Sequence, residues 1–265
     1  MDFSFIRTVL FDMDGVLYRG RQVLPGVHEL LAFLDAQNVS YGCLTNNSTQ
    51  TPVQYEQKLA AMGLHIPATH IVTSAMATAR YLRQEYPAGT TIYMIGMSGL
   101  HEVLFSDGHF IESDLAPMLV VQGGDFEITY EKLRKACLAI RGGARYVLTN
   151  PDSTYPTEEG LVPGAGALAA ALQAATEVEP FVIGKPGVIM FQVAVELLGG
   201  NNETTLMIGD RIDTDIVGAS HADLHNALVL TGVSTRADIA ENLCRPEVVV
   251  ENLIDLLALW QRDMA

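Results

Sequence analysis

The chain has 265 residues, of which 16 are basic and 31 acidic, and its formal charge is −15. This length fits one large domain or two modest ones, and 49% hydrophobic with 18% charged residues indicates a globular protein rather than a disordered one. The acidic balance argues against nucleic acid and anionic membranes as partners, because both carry negative charge.

Targeting and redox signals predict a cytoplasmic protein. The three cysteines, Cys43, Cys137 and Cys244, form no Cys-x-x-Cys pair, which favours a reduced compartment. The N-terminal residues lack the basic region and apolar stretch of a secretory signal. No apolar run reaches the roughly 18–20 residues of a membrane span.

Short apolar runs alternate with helical patterns along the first 85 residues. In chain order the spacing predicts a strand over 8–11, a helix over 26–37, a strand over 39–44, a helix from Thr51-Pro52 to Gly63, a strand over 71–72 and a helix over 74–85. This alternation is typical of a mostly parallel sheet with helices on both faces.

A break at 86–89 precedes a second series of the same kind. It predicts strands over 91–95, 118–121 and 145–148, helices from Ser98 and over 129–140, a polar loop over 150–163 and a helix over 164–175. Strands over 205–208, 226–230 and 247–250 and a helix over 254–262 follow. We therefore predict a Rossmann-like α/β core over 1–80 and 182–265, interrupted by a smaller α/β domain over 81–181.

Two groups of aspartates follow predicted strands, where open parallel sheets bind ligands. Asp12 and Asp14 point the same way on an extended backbone and repel each other unless a cation or a proton intervenes. The segment 209–215 (Gly-Asp-Arg-Ile-Asp-Thr-Asp) suits a hard cation such as Mg²⁺. The alternatives are solvated turn aspartates for the first group and helix capping by Asp213 or Thr214 for the second.

Two further polar segments lie at comparable positions. Thr45-Asn46-Asn47-Ser48 follows the second strand and offers hydroxyl, amide and backbone N–H groups to phosphate oxygens. Gly184-Lys185-Pro186-Gly187 precedes a helix and places one of few lysines where it could meet an anion. An ordinary strand-to-helix turn and an exposed loop lysine are the alternatives.

The four segments in this order resemble the haloacid dehalogenase superfamily of phosphatases. They are most similar to the 4-nitrophenylphosphatase-like subfamily, whose large α/β cap lies between the second and third motifs, where 81–181 also lies. The segments 149–152 and 160–166 resemble the end of that cap. The resemblance covers nearly the whole chain.

The resemblance implies a Mg²⁺-dependent phosphatase that acts through an aspartyl-phosphate. Asp12 would be the nucleophile, and Asp14 the general acid and then the general base. The metal would be held by the side chains of Asp12 and Asp210 and by the backbone carbonyl of Asp14. The remaining residues have binding or support roles. Phosphate would be bound by Thr45, Asn46 and Lys185, with Asn47, Asp213 and Asp215 in support, and the cap loop over 150–156, with Asn150, Pro151 and Asp152, would face the substrate.

The partner expected from this resemblance is a small phosphorylated metabolite, and caps of this kind can form a homodimer. A phosphotransferase using the same intermediate and a non-catalytic sensor of phosphometabolites are the competing functions. Dehalogenase chemistry fits less well, because it gives Asp14 no role and needs no metal.

Three other patterns favour structural roles. The segment 164–169 fits G-x-G-x-x-A, but a dinucleotide site needs a preceding strand, whereas 157–160 is polar. His221 and His225 could share a helix face, yet the segment lacks the glutamate of a zinc-protease motif, which favours a solvated pair. Trp260 is expected to pack the last helix against the body.

Overall fold

A computed structural model describes residues 1–157 and 159–264 of the chain. The chain separates into two compact units. The first contains residues 1–45, 55–72 and the chain from Lys185 onward, and the second contains 46–54 and 73–184. The domain boundaries drawn from the sequence, 81 and 181, stay a prediction.

A six-stranded sheet forms the centre of the first unit. Its strands are β1 (Thr8–Phe11), β4 (Ser40–Thr45), β5 (Ile71–Thr73), β13 (Thr205–Gly209), β14 (His225–Val229) and β15 (Val248–Val250). Their order across the sheet is β15-β14-β13-β1-β4-β5, and β1 pairs in parallel with both β13 and β4. The carboxyl ends of these three strands therefore lie side by side.

Helices surround this sheet, as the alternating pattern predicts. They are α1 (Val27–Ala36), α2 (Pro52–Ala60, shared between the units), α7 (Val188–Leu197), α8 (Val217–His221), α9 (Arg236–Glu241) and α10 (Leu253–Asp263). A short antiparallel pair, β2 (Tyr18–Arg19) and β3 (Gln22–Val23), follows β1. Val9, Leu10 and Phe11 are fully buried, because the central strand of a parallel sheet is covered on both faces.

The last helix packs against the N-terminal segment, which confirms the expectation for Trp260. Its indole is 1% exposed and stacks on Phe3 with ring centroids 4.9 Å apart. Leu253 and Leu256 are buried on the same helix. This apolar stripe anchors α10 to the core cluster.

The second unit has its own parallel sheet, in the order β12-β9-β8-β6-β7. The strands are β6 (Thr91–Ile95), β7 (Ile111–Glu112), β8 (Leu119–Gln122), β9 (Arg145–Leu148) and β12 (Phe181–Val182). The helices are α3 (Ser74–Glu85), α4 (Ser98–Phe105), α5 (Tyr130–Arg141) and α6 (Ala165–Thr176). An α/β architecture in both units confirms the predicted fold class.

Two local predictions are wrong. The segment predicted as a loop contains a hairpin of β10 (Thr154–Thr157) and β11 (Gly160–Pro163). Its strands are largely exposed and contain prolines, so the sequence lacks the apolar alternation that marks a strand. His221 and His225 share no helix face, because α8 ends at His221 and His225 begins β14, where it pairs with Glu247 at 2.9 Å.

No helix in the described part of the chain combines the length and the apolar character that a membrane span requires.

Candidate active site

Four charged side chains converge at the carboxyl ends of β1, β4 and β13. Asp12 directly follows β1, and its N–H still donates to Ile208 in β13 at 2.9 Å. Asp210 directly follows β13, and Asp215 lies one helical turn later in a π-helical segment, Ile212–Ile216. Lys185 precedes α7 and extends to these aspartates.

Lys185 is the cation at the centre of this cluster. Its Nζ donates to Asp12 Oδ1 at 2.5 Å, to Asp215 Oδ1 at 2.6 Å and to the carbonyl of Leu44 in β4 at 3.2 Å. The Lys185 side chain is only 3% exposed. Burial opposes its charge, but the two carboxylates outweigh that penalty and raise the pKa of Lys185, so it stays protonated.

The carboxylates carry more negative charge than Lys185 offsets. Asp12, Asp210 and Asp215 each offer an oxygen within 4.8 Å of the others. Burial raises the pKa of Asp12 to about 7 despite Lys185, with a further contribution from Asp215. Burial and the charges of Asp12 and Asp215 raise the pKa of Asp210 to about 8. Three hard oxygen donors with an uncompensated charge fit a divalent cation such as Mg²⁺.

The loop after β14 fixes the orientation of Asp210. The N–H of Val233 donates to Asp210 Oδ2 at 2.7 Å, and the N–H of Ser234 donates to the Asp210 carbonyl at 3.0 Å. A Cβ added at Gly232 would lie 1.8 Å from Asp210 Oδ2, and one added at Gly15 would lie 2.6 Å from it. Asp210 is therefore enclosed by backbone that tolerates no side chain at either glycine.

Both carboxylate oxygens of Asp215 accept hydrogen bonds from protein groups. Oδ1 accepts from Lys185, and Oδ2 accepts from the N–H of Arg211 at 3.1 Å. Neither Asp213 nor Thr214 caps this segment, since Arg211 is its N-cap residue and no side chain caps it. Asp213 instead forms an ion pair with Arg211 at 2.7 Å.

Asp14 lies in a tight turn beside this cluster. Gly15 adopts φ 88°, which favours glycine, and its N–H donates to the carbonyl of Tyr18 at 2.8 Å. The side chain of Asp14 is exposed, yet partial burial raises its pKa, while the charges of Lys58 and Arg19 lower it. A carboxyl group that retains a proton at higher pH is suited to act as an acid.

The segment after β4 divides between the two units. Thr45, the last residue of β4, is buried in the first unit. Asn46 belongs to the second unit, where its Nδ2 donates to Asp152 Oδ1 at 3.2 Å, and the Nδ2 of Asn47 donates to the Tyr155 hydroxyl at 3.3 Å. The structure thus brings Asn46 together with the predicted cap loop, which contains Asn150, Pro151 and Asp152.

The second unit also contains an apolar groove with a volume of about 640 Å³. Phe126 and Tyr155 line it, with ring centroids 5.2 Å apart, and Asp125 and Thr157 contribute polar groups. Tyr155 lies within the loop that was predicted to face the substrate.

Sequence reasoning missed the loop of Gly232, Val233 and Ser234, and it also missed Lys58. Neither lies in a motif rich in ionisable groups. The only sequence signals are a glycine just after a buried strand and the scarcity of lysine, of which the chain has four.

Two family models and several known proteins match this chain over most of its length. A haloacid dehalogenase-like hydrolase model matches residues 9–109, and a second HAD-hydrolase-like model matches 182–256. Dihydroxyacetone phosphatase of Corynebacterium glutamicum is 41% identical over 95% of this chain and 90% of its own. Acid sugar phosphatase of Staphylococcus saprophyticus is 37% identical over 95% and 96%.

The fold is shared with a solved phosphatase. The crystal structure of a 4-nitrophenylphosphatase from Thermotoga maritima superposes with a TM-score of 0.92, 35% identity and coverage of 98% of this chain and 100% of that one. The chain therefore belongs to the haloacid dehalogenase-like hydrolases, in the 4-nitrophenylphosphatase-like subfamily, and is a hydrolase of phosphate monoesters.

Proposed function

We propose that this protein is a Mg²⁺-dependent phosphatase that hydrolyses small phosphate monoesters of the sugar-phosphate class through an aspartyl-phosphate on Asp12. The observation that carries the proposal is the buried cluster of Asp12, Lys185, Asp210 and Asp215 at the ends of adjacent parallel strands. The names of two relatives, an acid sugar phosphatase and a dihydroxyacetone phosphatase, support the substrate class.

The metal would be held by Asp12 and Asp210 through their side chains and by the backbone carbonyl of Asp14. Asp215 would support the metal site without binding the ion directly, because its two oxygens already accept hydrogen bonds from Lys185 and the Arg211 N–H. When bound, Mg²⁺ would offset the negative charge of the phosphate and of the carboxylates around it. The excess of carboxylate charge over Lys185 supports this assignment.

In the first step a carboxylate oxygen of Asp12 attacks phosphorus, and the bond from phosphorus to the ester oxygen breaks. Asp14 gives its proton to that oxygen, so the alcohol leaves neutral. Lys185 holds Asp12 in place and limits repulsion between its carboxylate and the anionic phosphate. Thr45 lies at the end of β4 and is the proposed hydroxyl donor to the phosphoryl oxygens.

In the second step Asp14, now ionised, accepts a proton from a water molecule that attacks phosphorus. The bond between phosphorus and Asp12 breaks, which releases inorganic phosphate and restores both carboxyl groups. Phosphate binding by Asn46 and a support role for Asn47 stay predictions.

A phosphate-release assay tests this proposal. Rates are measured on a panel of sugar phosphates, triose phosphates and 4-nitrophenyl phosphate, with Mg²⁺ and with a chelator. Asp12→Asn should abolish turnover, whereas Asp107→Asn, a matched change in a surface ion pair with Arg83, should leave it intact. Turnover in Asp12→Asn equal to that of the wild type would contradict the nucleophile assignment, and no Mg²⁺-dependent release from any ester would contradict the function.

An acceptor alcohol added to the same assay separates hydrolysis from phosphoryl transfer. A hydrolase releases inorganic phosphate regardless of the alcohol, whereas a phosphotransferase forms a new ester in preference to phosphate. We further propose that the loop over 150–156 sets substrate preference. The cytoplasmic location, the homodimer and the small phosphorylated metabolite as partner remain proposals.

A further inference from the structure

Lys58 differs from every other lysine of the chain in its charge partners. The chain has four lysines. Lys132, Lys135 and Lys185 each form an ion pair with an aspartate. Within the described residues Lys58 contacts no carboxylate, although the chain carries a large excess of acidic groups. Its charge is therefore available to a ligand.

Two tyrosines hold this ammonium group in place. Lys58 lies on α2, and its Nζ donates to the hydroxyl of Tyr18 at 3.1 Å and lies 4.3 Å from the centroid of the Tyr18 ring. The ring of Tyr55, one helical turn earlier, lies 5.7 Å from the same nitrogen. Both rings are 2% exposed, so the half-buried ammonium group has a defined position.

The contacts with tyrosine stabilise the charge without neutralising it. Burial raises the pKa of the Tyr18 phenol, with smaller contributions from Tyr55 and Asp14, so the hydroxyl remains a neutral acceptor. A cation held against aromatic faces keeps its full charge and two further N–H donors.

The backbone turn joins the proposed general acid to Tyr18, the tyrosine that binds this ammonium group. Asp14 and Tyr18 pair as an isolated β-bridge, and the Gly15 N–H closes the turn on the Tyr18 carbonyl. Burial lowers the pKa of Lys58 and raises the pKa of Asp14, and the charge of each group partly opposes the shift of the other. The two groups nevertheless form no ion pair, which leaves a gap between them.

We propose that Lys58 binds an oxygen acceptor on the leaving group of the substrate, and that it selects phosphate monoesters with a carboxylate or carbonyl on the carbon next to the ester carbon. The inference rests on the proposed function, in which Asp14 protonates the ester oxygen. A group that Lys58 binds would then lie on the leaving group, near the ester oxygen that Asp14 protonates.

The preference should be strongest for a carboxylate. Charge-assisted hydrogen bonds are roughly twice as strong as neutral ones. An anionic leaving group would otherwise be repelled by the carboxylates of Asp12 and Asp210. Lys58 thus determines specificity, and a purely structural lysine would not discriminate between esters.

Matched esters test the inference. Values of kcat/KM are measured for 2-phosphoglycolate and dihydroxyacetone phosphate, and for propyl phosphate and 4-nitrophenyl phosphate, which have no carboxylate or carbonyl on the carbon next to the ester carbon. In Lys58→Met the ratio of kcat/KM for 2-phosphoglycolate to that for propyl phosphate should fall by roughly 10- to 100-fold, the effect of losing one charge-assisted hydrogen bond. Lys58→Arg keeps the charge and should retain most of the ratio.

Lys135→Met is the matched control, because it removes a surface lysine of the second unit and should leave the ratio unchanged. Thermal unfolding of each variant separates a folding defect from a change in specificity. A loss in Lys58→Met that is equal for all four esters, or no loss, would overturn the inference alone. Failure of the wild type to hydrolyse any ester would overturn the proposed function and the inference with it.

Discussion

Replacing Lys185 by methionine should destabilise the protein in a way that depends on pH. The variant removes the Nζ hydrogen bonds to Asp12 and Asp215 and leaves both carboxylates without their counter-charge. The side chain of Asp215 is 1% exposed and that of Asp12 is 15% exposed, so water replaces little of the loss. Removing one partner of a buried ion pair costs about 3–5 kcal/mol, and we expect a loss in that range at pH 8 without metal.

The loss should be smaller at pH 5. Without Lys185 the remaining carboxylates bind protons more readily in the folded state, and protonation removes the uncompensated charge. The carboxylates of folded Lys185→Met therefore carry more protons than those of the folded wild type. The stability of the variant consequently falls more steeply as the pH rises. Added Mg²⁺ should restore part of the stability at pH 8, because a bound cation offsets the same charge.

Urea unfolding at pH 5 and at pH 8, with and without Mg²⁺, measures these differences. Lys135→Met serves as the control, because it removes a lysine from an exposed ion pair and should change stability little at either pH. If Lys185→Met were no less stable than Lys135→Met at pH 8, or if its loss were the same at both pH values, the electrostatic account of the cluster would be wrong.

Three further predictions concern the metal and the proton donor. Gly232→Ala should weaken divalent-cation binding by about 10-fold or more in a calorimetric titration, because the added Cβ would displace the Asp210 carboxylate. An unchanged affinity would show that the loop of Gly232, Val233 and Ser234 does not orient Asp210. The metal-free protein should lose stability as the pH rises from about 4 to about 8, because folding raises the pKa of Asp12 to about 7 and of Asp210 to about 8, above their unfolded values near 3.9. Thermal unfolding across this pH range measures the loss, and a stability that rises with pH would contradict the prediction. Asp14→Asn should slow the release of alcohol from propyl phosphate far more than the release of nitrophenol from 4-nitrophenyl phosphate, because nitrophenolate leaves without a proton. A stopped-flow measurement compares the two rates, and equal slowing would exclude Asp14 as the acid.

The fold could be predicted from local patterns because each buried strand is short, apolar and followed by a helical stretch. Thr8–Phe11, Arg145–Leu148 and Thr91–Ile95 appear as predicted strands. The hairpin of Thr154–Thr157 and Gly160–Pro163 was missed, since exposed strands need no apolar alternation and its pairing depends on tertiary context.

The chemical groups of the site could also be named from sequence, but their electrostatic environment could not. Motif order singled out Asp12, Lys185, Asp210 and Asp215, which the structure places together. The orientation of Asp210 depends on a loop more than twenty residues later in the chain, which sequence spacing does not reveal. Sequence spacing likewise does not reveal that Lys58 forms no ion pair with any carboxylate in the described part of the chain.

Covalent trapping of the phosphorylated protein identifies the residue that attacks phosphorus. Asp14→Asn is mixed with ³²P-labelled 4-nitrophenyl phosphate and Mg²⁺, quenched in acid and digested, and the labelled peptide is sequenced. Because this ester needs no acid to leave and the variant lacks the base for hydrolysis, label should accumulate on Asp12, and it should be absent when Mg²⁺ is removed. Label on another residue, or nitrophenol release without any protein-bound phosphate, would contradict the account.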